Sequence, residues 1–321
     1  MTISRGAASA PRVLLSGDDM SAERISLLAP AKVNLFLAVG DRRPDGYHDV
    51  VTVLQKLDAR VADTVTIERA DELSVVCEPA IDIPAEQNLA FRALLGLGAL
   101  AGREPRFSVT LRKRVPAAGG LGGASTDAAA ALVGACRLWG LDAASPEVTA
   151  LAASLGADVP FFISGGTALY AGRGDTLVRR MDTPPLDLVI VNPGVPVPTP
   201  AAYAMFDRLL CPAVPTVDRM LGALASRDPR TIAAALFNNL AEAACDLAPE
   251  VAEALAFVTQ SEGVLGALVS GSGSSVFGIC EDAEAAEAVA RAANTRPAWR
   301  ASATAASPGG SVGGDSRFVS R

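Results

Sequence analysis

The stretch that decides the fold is VPAAGGLGGASTDAAAALVGACRLW, residues 115–139. Four glycines fall within five positions, at 119, 120, 122 and 123, directly before an alanine-rich run. Glycine loses more conformational freedom on folding than any other residue, so a dense cluster indicates positive φ or a close backbone approach. The segment therefore predicts a tightly wound loop whose backbone meets something at short range.

The run after the glycines predicts an amphipathic helix. Leu132, Cys136 and Trp139 fall on one face at helical spacing, and we interpret the Ser-Thr-Asp cluster at 125–127 as the cap that opens it. A glycine loop that leads into a helix N-terminus collects free N–H groups at the positive end of the helix dipole, which favours phosphate. A tight strand-to-helix turn without a ligand has the same spacing, so the spacing alone leaves both interpretations open.

Composition narrows the class of protein. The chain has 321 residues, 50% of them apolar and 20% charged, which is the balance of a globular protein with one large or two medium domains. The formal net charge of -7 argues against a nucleic-acid partner and against an anionic membrane surface. An anionic small molecule would have to be held by loop N–H groups and a few placed cations.

Cysteine and histidine usage bears on compartment and metals. The cysteines are odd in number and form no CxxC pair, which is typical of reduced thiols in a cytoplasmic protein. They are Cys77, Cys136, Cys211, Cys245 and Cys280. His48 is the one histidine, so a histidine-based metal centre is nearly excluded. The sequence shows no transmembrane span and no secretion signal, and we expect a cytoplasmic location.

Patterning along the chain predicts an α+β protein in two halves. We expect a flexible leader over 1–22, an N-terminal domain over 23–184, a C-terminal domain over 185–306 and a disordered tail over 307–321, with the Pro-Pro pair at 184–185 as the boundary. Strands are predicted within 24–40 (two), 63–79 (two), 106–116, 167–172, 186–194, 264–282 (two) and 298–305. Further helices are predicted over 87–102, 145–156, 200–209, 217–225, 229–237, 249–261 and 282–294, with Asn88 and Ser145 as caps of the first two.

The commoner nucleotide-binding signatures are missing from the sequence. It has no GxxxxGK[ST] P-loop, no GxGxxG after a first strand with a matching acidic residue, and neither the HRD nor the DFG motif of protein kinases. A phosphate loop of another class is the remaining candidate.

The segment PAAGGLGGASTDAAA resembles the ATP loop of the galactokinase, homoserine kinase, mevalonate kinase and phosphomevalonate kinase (GHMP) superfamily. PAKVNL near the N-terminus and VSGSGSSVFG near the C-terminus resemble its other two motifs, in the same order over 25–280. The resemblance implies a two-domain GHMP-kinase-like fold with the active site in the cleft between the halves. It also implies ATP as co-substrate and Mg²⁺.

Three longer stretches point to one branch of that superfamily. They are APAKVNLFLAVGDRRPDGYHDV, GADVPFFISGGTAL and NPGVPVPT. They resemble the branch whose substrate is methylerythritol linked to cytidine diphosphate, which implies ATP-dependent phosphorylation of a substrate hydroxyl in the non-mevalonate route to isoprenoid precursors. A homoserine or mevalonate kinase of the same superfamily and a non-catalytic nucleotide-binding regulator are the alternatives.

Two residues are candidates for the chemistry. Taken alone, Lys32 is typical of an edge-strand or snorkelling charge, and Asp158 is typical of a turn or helix-cap aspartate. The resemblance implies instead that Asp158 accepts the substrate hydroxyl proton while Lys32 keeps it ionised and oriented. Both residues are therefore assigned as catalytic.

The resemblance also implies the substrate contacts. Tyr47 and Tyr203 would stack on the two faces of cytosine, and His48 would read a base edge, although DGYH alone is typical of an exposed turn. The SGSGS stretch at 270–274 is either a plain hairpin turn or a substrate contact that packs against the glycine loop. The remaining substrate-binding candidates are Asn34, Thr199, Gly271, Ser272 and Gly273.

The resemblance also implies the nucleotide contacts: the phosphates on the loop, and Asn88 and Lys113 near the adenine and ribose. The ATP-binding candidates are Pro116, Ala117, Ala118, Gly119, Gly120, Leu121, Gly122, Gly123, Ala124, Ser125, Thr126, Asn88 and Lys113. Mg²⁺ would be reached through Ser125 or Thr126. The sequence departs from the family pattern in having ASTD for Ser-Ser-Asn, NPG where histidine often precedes Pro-Gly, and Tyr203 for phenylalanine.

The expected partner is a small-molecule substrate, with no nucleic acid and no membrane. The sequence allows a monomer or a homodimer.

Overall fold

The computed structural model describes residues 23–81, 83–209 and 215–310. The predicted leader over 1–22, Cys211 and the tail beyond residue 310 lie outside these residues. Among the residues that the structure describes, the cysteines are free thiols, and no helix is long and apolar enough to cross a membrane.

Strands and helices alternate irregularly along the chain. The strands are β1 (Arg24–Pro30), β2 (Lys32–Arg42), β3 (His48–Lys56), β4 (Ala62–Arg69), β5 (Ser74–Glu78), β6 (Phe107–Arg112), β7 (Thr167–Ala171), β8 (Thr176–Met181), β9 (Asp187–Asn192), β10 (Phe237–Asn238), β11 (Val264–Val269), β12 (Val276–Cys280) and β13 (Arg300–Ala305). The helices are α1 (Leu89–Ala101), α2 (Gly123–Trp139), α3 (Pro146–Leu155), α4 (Val159–Ser164), α5 (Thr199–Phe206), α6 (Asp218–Ser226), α7 (Pro229–Ala234), α8 (Ala241–Leu247), α9 (Pro249–Gln260) and α10 (Ala283–Ala293).

The first sheet has the strand order β1-β4-β6-β5 and carries the first hydrophobic core. Apolar side chains alternate along its strands, and Val65, Val109 and Leu111 are buried beneath α1 and α2. The alanine-rich α2 is buried over most of its length, because small side chains let it pack closely on α1, β1 and α4. This packing fixes the helix that follows the glycine loop.

The second and third sheets connect the two halves. The second sheet has the order β10-β2-β3-β7-β8, and β10 from the C-terminal half pairs in parallel with β2, Phe237 opposite Phe36. The third sheet has the order β11-β12-β9-β13, with α9 and α10 covering one face. Since one buried cluster includes residues of both halves, Leu35 and Ile190 among them, the halves share a core.

The predicted helix after the glycine loop is confirmed, but its predicted cap is wrong. Helix α2 begins at Gly123, and the capping position is Gly122, whose φ of 74° is left-handed. The Ser125, Thr126 and Asp127 side chains therefore lie inside the first turns of the helix, and none of them makes a capping bond. The reason is that the left-handed Gly122 already turns the chain into the helix, three residues before the polar cluster begins.

Among the other predicted elements, the two helix caps are confirmed, and five elements are missing from the prediction. Asn88 and Ser145 cap α1 and α3, as expected, by accepting hydrogen bonds from the amides of Ala90 and Val148. Missing from the sequence-based prediction are β3, β8, β10, α4 and α8, and the helix predicted over 229–237 ends at Ala234. Strand β3 is buried on both faces over its last five residues, β8 is almost fully exposed and the others are short, so none of them shows a clear period.

Candidate active site

A cleft of about 530 Å³ runs between the two halves. The N-terminal half contributes β2, β3, the glycine loop and Asp158, and the C-terminal half contributes Thr199, Tyr203 and the turn at Gly271. The predicted site residues that line the cleft are Lys32, Asn34, Asn88, Lys113, Pro116, Ala117, Ala118, Gly119, Gly120, Leu121, Gly122, Gly123, Ala124, Ser125, Asp158, Thr199, Tyr203, Gly271 and Ser272. Those outside its lining are Tyr47, His48, Thr126 and Gly273.

Lys32 and Asp158 meet at the floor of the cleft. Lys32 is the first residue of β2, and its Nζ lies 3.5 Å from Oδ2 of Asp158. The Lys32 side chain is only 5% exposed, whereas that of Asp158 is 29% exposed and faces the cleft. Asp158 directly precedes α4 but makes no side-chain capping bond, so its carboxylate remains available to a molecule in the cleft.

A hydrogen-bond chain fixes the orientation of Lys32 and Asn34. Lys32 Nζ donates to Asn34 Oδ1 at 2.7 Å, and Asn34 Nδ2 donates to Thr52 Oγ1 at 2.8 Å. The Thr52 hydroxyl then donates to the carbonyl of Phe36 at 2.8 Å. Because each member is buried and bonded, the ammonium group is held in place before any substrate arrives.

The glycines of the loop make close approaches to protein atoms. A Cβ at Gly120 would stand 1.9 Å from the carbonyl oxygen of Ser270, and one at Gly122 would stand 2.8 Å from the Phe162 ring and 3.2 Å from Lys32 Cγ. Both glycines have positive φ, 73° and 74°. Thus the glycine cluster is required by packing of the loop against the rest of the site.

The SGSGS stretch forms the hairpin turn between β11 and β12 and packs against the glycine loop, as expected. Ser270 Oγ donates to the Gly120 carbonyl at 3.0 Å, and the Ser275 amide donates to the Gly119 carbonyl at 3.1 Å. Ser272 and Thr199 share a hydrogen bond of 2.9 Å between their hydroxyls at the cleft wall. The Lys32 amide also donates to the Leu121 carbonyl at 3.0 Å, so one loop is tied to both sides of the site.

The aromatic residues form what we call the aromatic end of the cleft: Tyr203 lines the cleft, whereas His48 and Tyr47 stand outside its lining. Tyr203, in α5, is partly buried, and burial, assisted by the Asp158 charge, raises its pKa to about 12, so it is a neutral ring at physiological pH. His48 packs against it with ring centroids 5.2 Å apart. The His48 Nε2 is 2.7 Å from Asp207 Oδ1, so this ring nitrogen is occupied by a partner in the C-terminal half. Tyr47 is 57% exposed and carries the guanidinium of Arg173 over its ring at 5.0 Å.

Sequence reasoning missed four polar residues around the cleft. Thr52 completes the Lys32 network, Asp207 holds His48, Arg173 lines the cleft, and Asp63 pairs with Lys113. Each is distant in sequence from the motif that it contacts, and none belongs to a recognisable pattern. No cluster of three or more His, Cys, Asp or Glu side chains that could hold a metal ion occurs in the described ranges.

Two family models match the chain, one for each half. The model "GHMP kinases N terminal domain" matches residues 88–166, and the model "GHMP kinases C terminal" matches residues 220–298. The first match contains the glycine loop and Asp158, and the second contains the turn at Gly271. The chain belongs to the GHMP kinase family.

Individual relatives carry a narrower name. A "4-diphosphocytidyl-2-C-methyl-D-erythritol kinase" of Nocardia farcinica is 44% identical over 270 residues, covering 82% of this chain and 87% of the relative. One of Streptomyces avermitilis with the same name is 39% identical over 291 residues, covering 88% of this chain and 97% of the relative. These proteins are relatives of the chain over nearly all of their own length.

Solved structures agree at the level of fold. The structure of a "4-(cytidine 5'-diphospho)-2C-methyl-D-erythritol kinase" superposes with a TM-score of 0.70 and 34% identity, covering 88% of this chain and 100% of that one. A homoserine kinase from Cytophaga hutchinsonii superposes with a TM-score of 0.68 at 19% identity, covering 92% of this chain and 98% of that one, and shows the fold alone.

Proposed function

We propose that the protein transfers the γ-phosphoryl group of ATP to the hydroxyl at carbon 2 of 4-diphosphocytidyl-2-C-methyl-D-erythritol, in the non-mevalonate route to isoprenoid precursors. The observation that carries this proposal is the Lys32–Asp158 pair, 3.5 Å apart, in the same cleft as the glycine loop. The names of the relatives at 39–44% identity support the choice of substrate.

Asp158 is the proposed base and Lys32 its partner. As the substrate oxygen bonds to the γ-phosphorus, the bond from that phosphorus to the β,γ-bridging oxygen breaks, and ADP leaves. The hydroxyl proton moves to the Asp158 carboxylate, which Lys32 orients through their 3.5 Å ion pair. Positioning and charge stabilisation supply most of the catalysis of phosphoryl transfer, so a weak base is sufficient.

The glycine loop is the proposed phosphate cradle. Its backbone leads into the N-terminus of the 17-residue helix α2, where free N–H groups and the helix dipole favour anions. Ser125 lines the cleft and would hold Mg²⁺ together with the phosphates, whereas the Thr126 side chain is fully buried and does not reach it. Mg²⁺ in such a site neutralises charge on the β- and γ-phosphates.

The aromatic end of the cleft is the proposed cytosine site. Tyr203 offers a neutral, well-supported ring wall, and Tyr47 lies on the turn before β3 with Arg173 against it. An aromatic ring can stack on any base, so these rings favour a cytidylated substrate over a small polyol that carries no base. We propose that His48 supports Tyr203 and that Asn34, Thr199, Gly271 and Ser272, which line the cleft, contact the polyol and its phosphates.

We also retain as proposals the domain boundary near residue 184, a cytoplasmic location and a monomeric or homodimeric state. A homoserine or mevalonate kinase is the alternative among GHMP kinases, and the Tyr203–His48 pair with Tyr47 favours the cytidylated substrate over it. A non-catalytic nucleotide-binding regulator is disfavoured because both Lys32 and Asp158 are present and paired.

One assay separates these functions. ATP consumption is measured with 4-diphosphocytidyl-2-C-methyl-D-erythritol, homoserine and mevalonate in turn, at equal enzyme and Mg²⁺. The proposal expects turnover with the first substrate and background rates with the other two. Turnover with homoserine or mevalonate instead would assign another kinase activity, and no turnover with any of them would favour the regulator.

A further inference from the structure

A buried charge cluster lies behind the glycine loop. Lys113 Nζ forms an ion pair with Asp63 Oδ2, and it lies 2.5 Å from Asp127 Oδ2. The Asp63 side chain is fully buried, that of Asp127 is 5% exposed, and that of Lys113 is 12% exposed. One ammonium group is therefore shared by two buried carboxylates, and removing one member leaves a buried charge without its partner.

The three residues stand at the two ends of the glycine loop. Lys113 directly follows β6, and Asp63 on β4 accepts hydrogen bonds from the next two amides, Arg114 at 2.5 Å and Val115 at 2.8 Å. Asp127 is in the first turns of α2, immediately after the loop. The cluster thus joins the residues that lead into the loop to the helix that leads out of it.

We propose that Asp63 and Lys113 are positioning residues for the nucleotide: through Asp127 they clamp the two ends of the glycine loop and so set the affinity for ATP. The inference rests on the proposed function, because it needs the loop to bind ATP phosphates. It assigns to the Lys113 side chain a role inside the protein, in a residue that also lines the cleft. Asp63 contributes no atom to the cleft lining, so its effect on ATP is transmitted through the loop.

The cluster carries one more negative than positive charge when both carboxylates are ionised. Burial raises the pKa of Asp127 to about 7, Lys113 opposes this shift, and the Asp63 charge adds to it. Burial alone would lower the pKa of Lys113, but Asp127 and Asp63 outweigh it and raise that pKa. Cys77 on β5 is the other titratable group near the cluster, and burial raises the pKa of its thiol.

The test compares variants that keep or cut the link that Asp63, Lys113 and Asp127 form between the two ends of the loop. Calorimetry measures ATP binding to the full chain, and kinetics give KM and kcat with the cytidylated substrate. Asp63→Asn cuts the link, because both Asp63 oxygens accept and a single amide oxygen cannot serve Lys113 and the Arg114 and Val115 amides together. It should weaken ATP binding about tenfold, the value of one charge-assisted hydrogen bond, with kcat changed much less and the KM for the cytidylated substrate unchanged. Asp71→Asn, an exposed turn residue in the same half, is the matched control and should behave as wild type.

A second pair of variants remains informative if Asp63→Asn does not fold. Asp127→Asn keeps the link, because only one Asp127 oxygen is used and an amide oxygen still accepts from Lys113, and it should bind ATP about as wild type does. Lys113→Met in the Asp127→Asn background cuts the link. The one buried carboxylate that remains is Asp63, which still accepts from two backbone amides. This double variant should bind ATP about tenfold more weakly than Asp127→Asn alone.

The outcomes separate the clamp from the function beneath it. If wild-type protein binds ATP, and both link-cutting variants are folded and bind it equally well, the clamp is wrong. If the wild-type chain itself does not bind ATP, the proposed function fails, whatever the variants show.

Discussion

The two ends of the cleft are built on different principles. At the catalytic end, the Lys32 side chain is held by Asn34 and by Asp158, and the Lys32 amide donates to the Leu121 carbonyl of the glycine loop. At the aromatic end, Tyr203 is packed in α5 against His48, whereas Tyr47 stands on a turn, 57% exposed, with a guanidinium over its ring. The catalytic end is therefore held in place by its own contacts, whereas at the aromatic end Tyr203 is packed and Tyr47 is exposed.

The difference indicates where binding energy and catalysis reside. A preorganised ion pair in a buried network acts on charge that develops during the reaction, so its loss should reduce turnover. An exposed ring must be ordered when the base arrives, and this ordering lowers its net contribution. We therefore expect the catalytic end to control kcat, Tyr203 to control substrate affinity, and Tyr47 to contribute less than Tyr203.

The largest expected effect is at the catalytic end. Asp158→Asn is nearly isosteric and should leave the fold intact while it lowers kcat by about 10²–10⁴-fold, the range of general-base assistance. Lys32→Met should be similarly damaging, with ATP affinity changed much less than turnover. Steady-state kinetics with calorimetric ATP binding measures both. Near-normal turnover in Asp158→Asn would remove the base from this end of the cleft.

The next effect concerns the loop that both ends share. Gly122→Val places a β-branched side chain at φ 74°, against Phe162 and Lys32, and should weaken ATP binding by roughly 100-fold or more. Gly102→Val is the matched control, because Gly102 also has positive φ but nothing lies within 4 Å of its added Cβ. It should lose some stability and keep ATP affinity. Ordinary ATP affinity in a folded Gly122→Val protein would show that the loop is structural.

The aromatic end should give an intermediate effect on the substrate. Stacking a base on an aromatic ring contributes about 1–3 kcal/mol, so Tyr203→Ala should raise the substrate KM roughly 5- to 150-fold. Tyr47→Ala should fall toward the lower end of that range. Tyr203→Phe should be nearly silent, since the ring makes the contact. ATP affinity should not change in any of these. Equal effects of Tyr47→Ala and Tyr203→Ala would contradict the asymmetry between the two rings.

The smallest effect is a pH dependence of stability. The pKa of Asp127 is raised by folding from 3.8 to about 7, so the folded protein binds a proton that the unfolded chain has lost. Its contribution to stability is therefore full below pH 3.8 and lost as pH rises toward 7. Asp127→Asn should flatten that part of the profile and raise the unfolding free energy at pH 8 by about 1–3 kcal/mol. Urea unfolding at pH 5 and pH 8 checks it, and an unchanged profile would refute it.

Features built from residues close together in the sequence could be predicted, and contacts between residues far apart in the sequence could not. The glycine loop, its helix, the caps at Asn88 and Ser145 and the second turn at 270–274 are local patterns, and each was predictable. The partners of Lys113 and His48 were not, because Asp63 is 50 residues away and Asp207 is 159 residues away. The cap of α2 was misread because a left-handed glycine took the place that a polar side chain usually fills.

The central claim is that a single cleft combines phosphoryl transfer at Lys32 and Asp158 with recognition of cytosine at Tyr203. The direct measurement is kcat/KM of the wild-type protein, at saturating ATP and Mg²⁺, for the cytidylated substrate and for the same polyol phosphate without cytidine. The account predicts a preference for the cytidylated substrate of at least about tenfold, the value of one stacked base. Equal rates with the two substrates, or a preference for the truncated one, would contradict it.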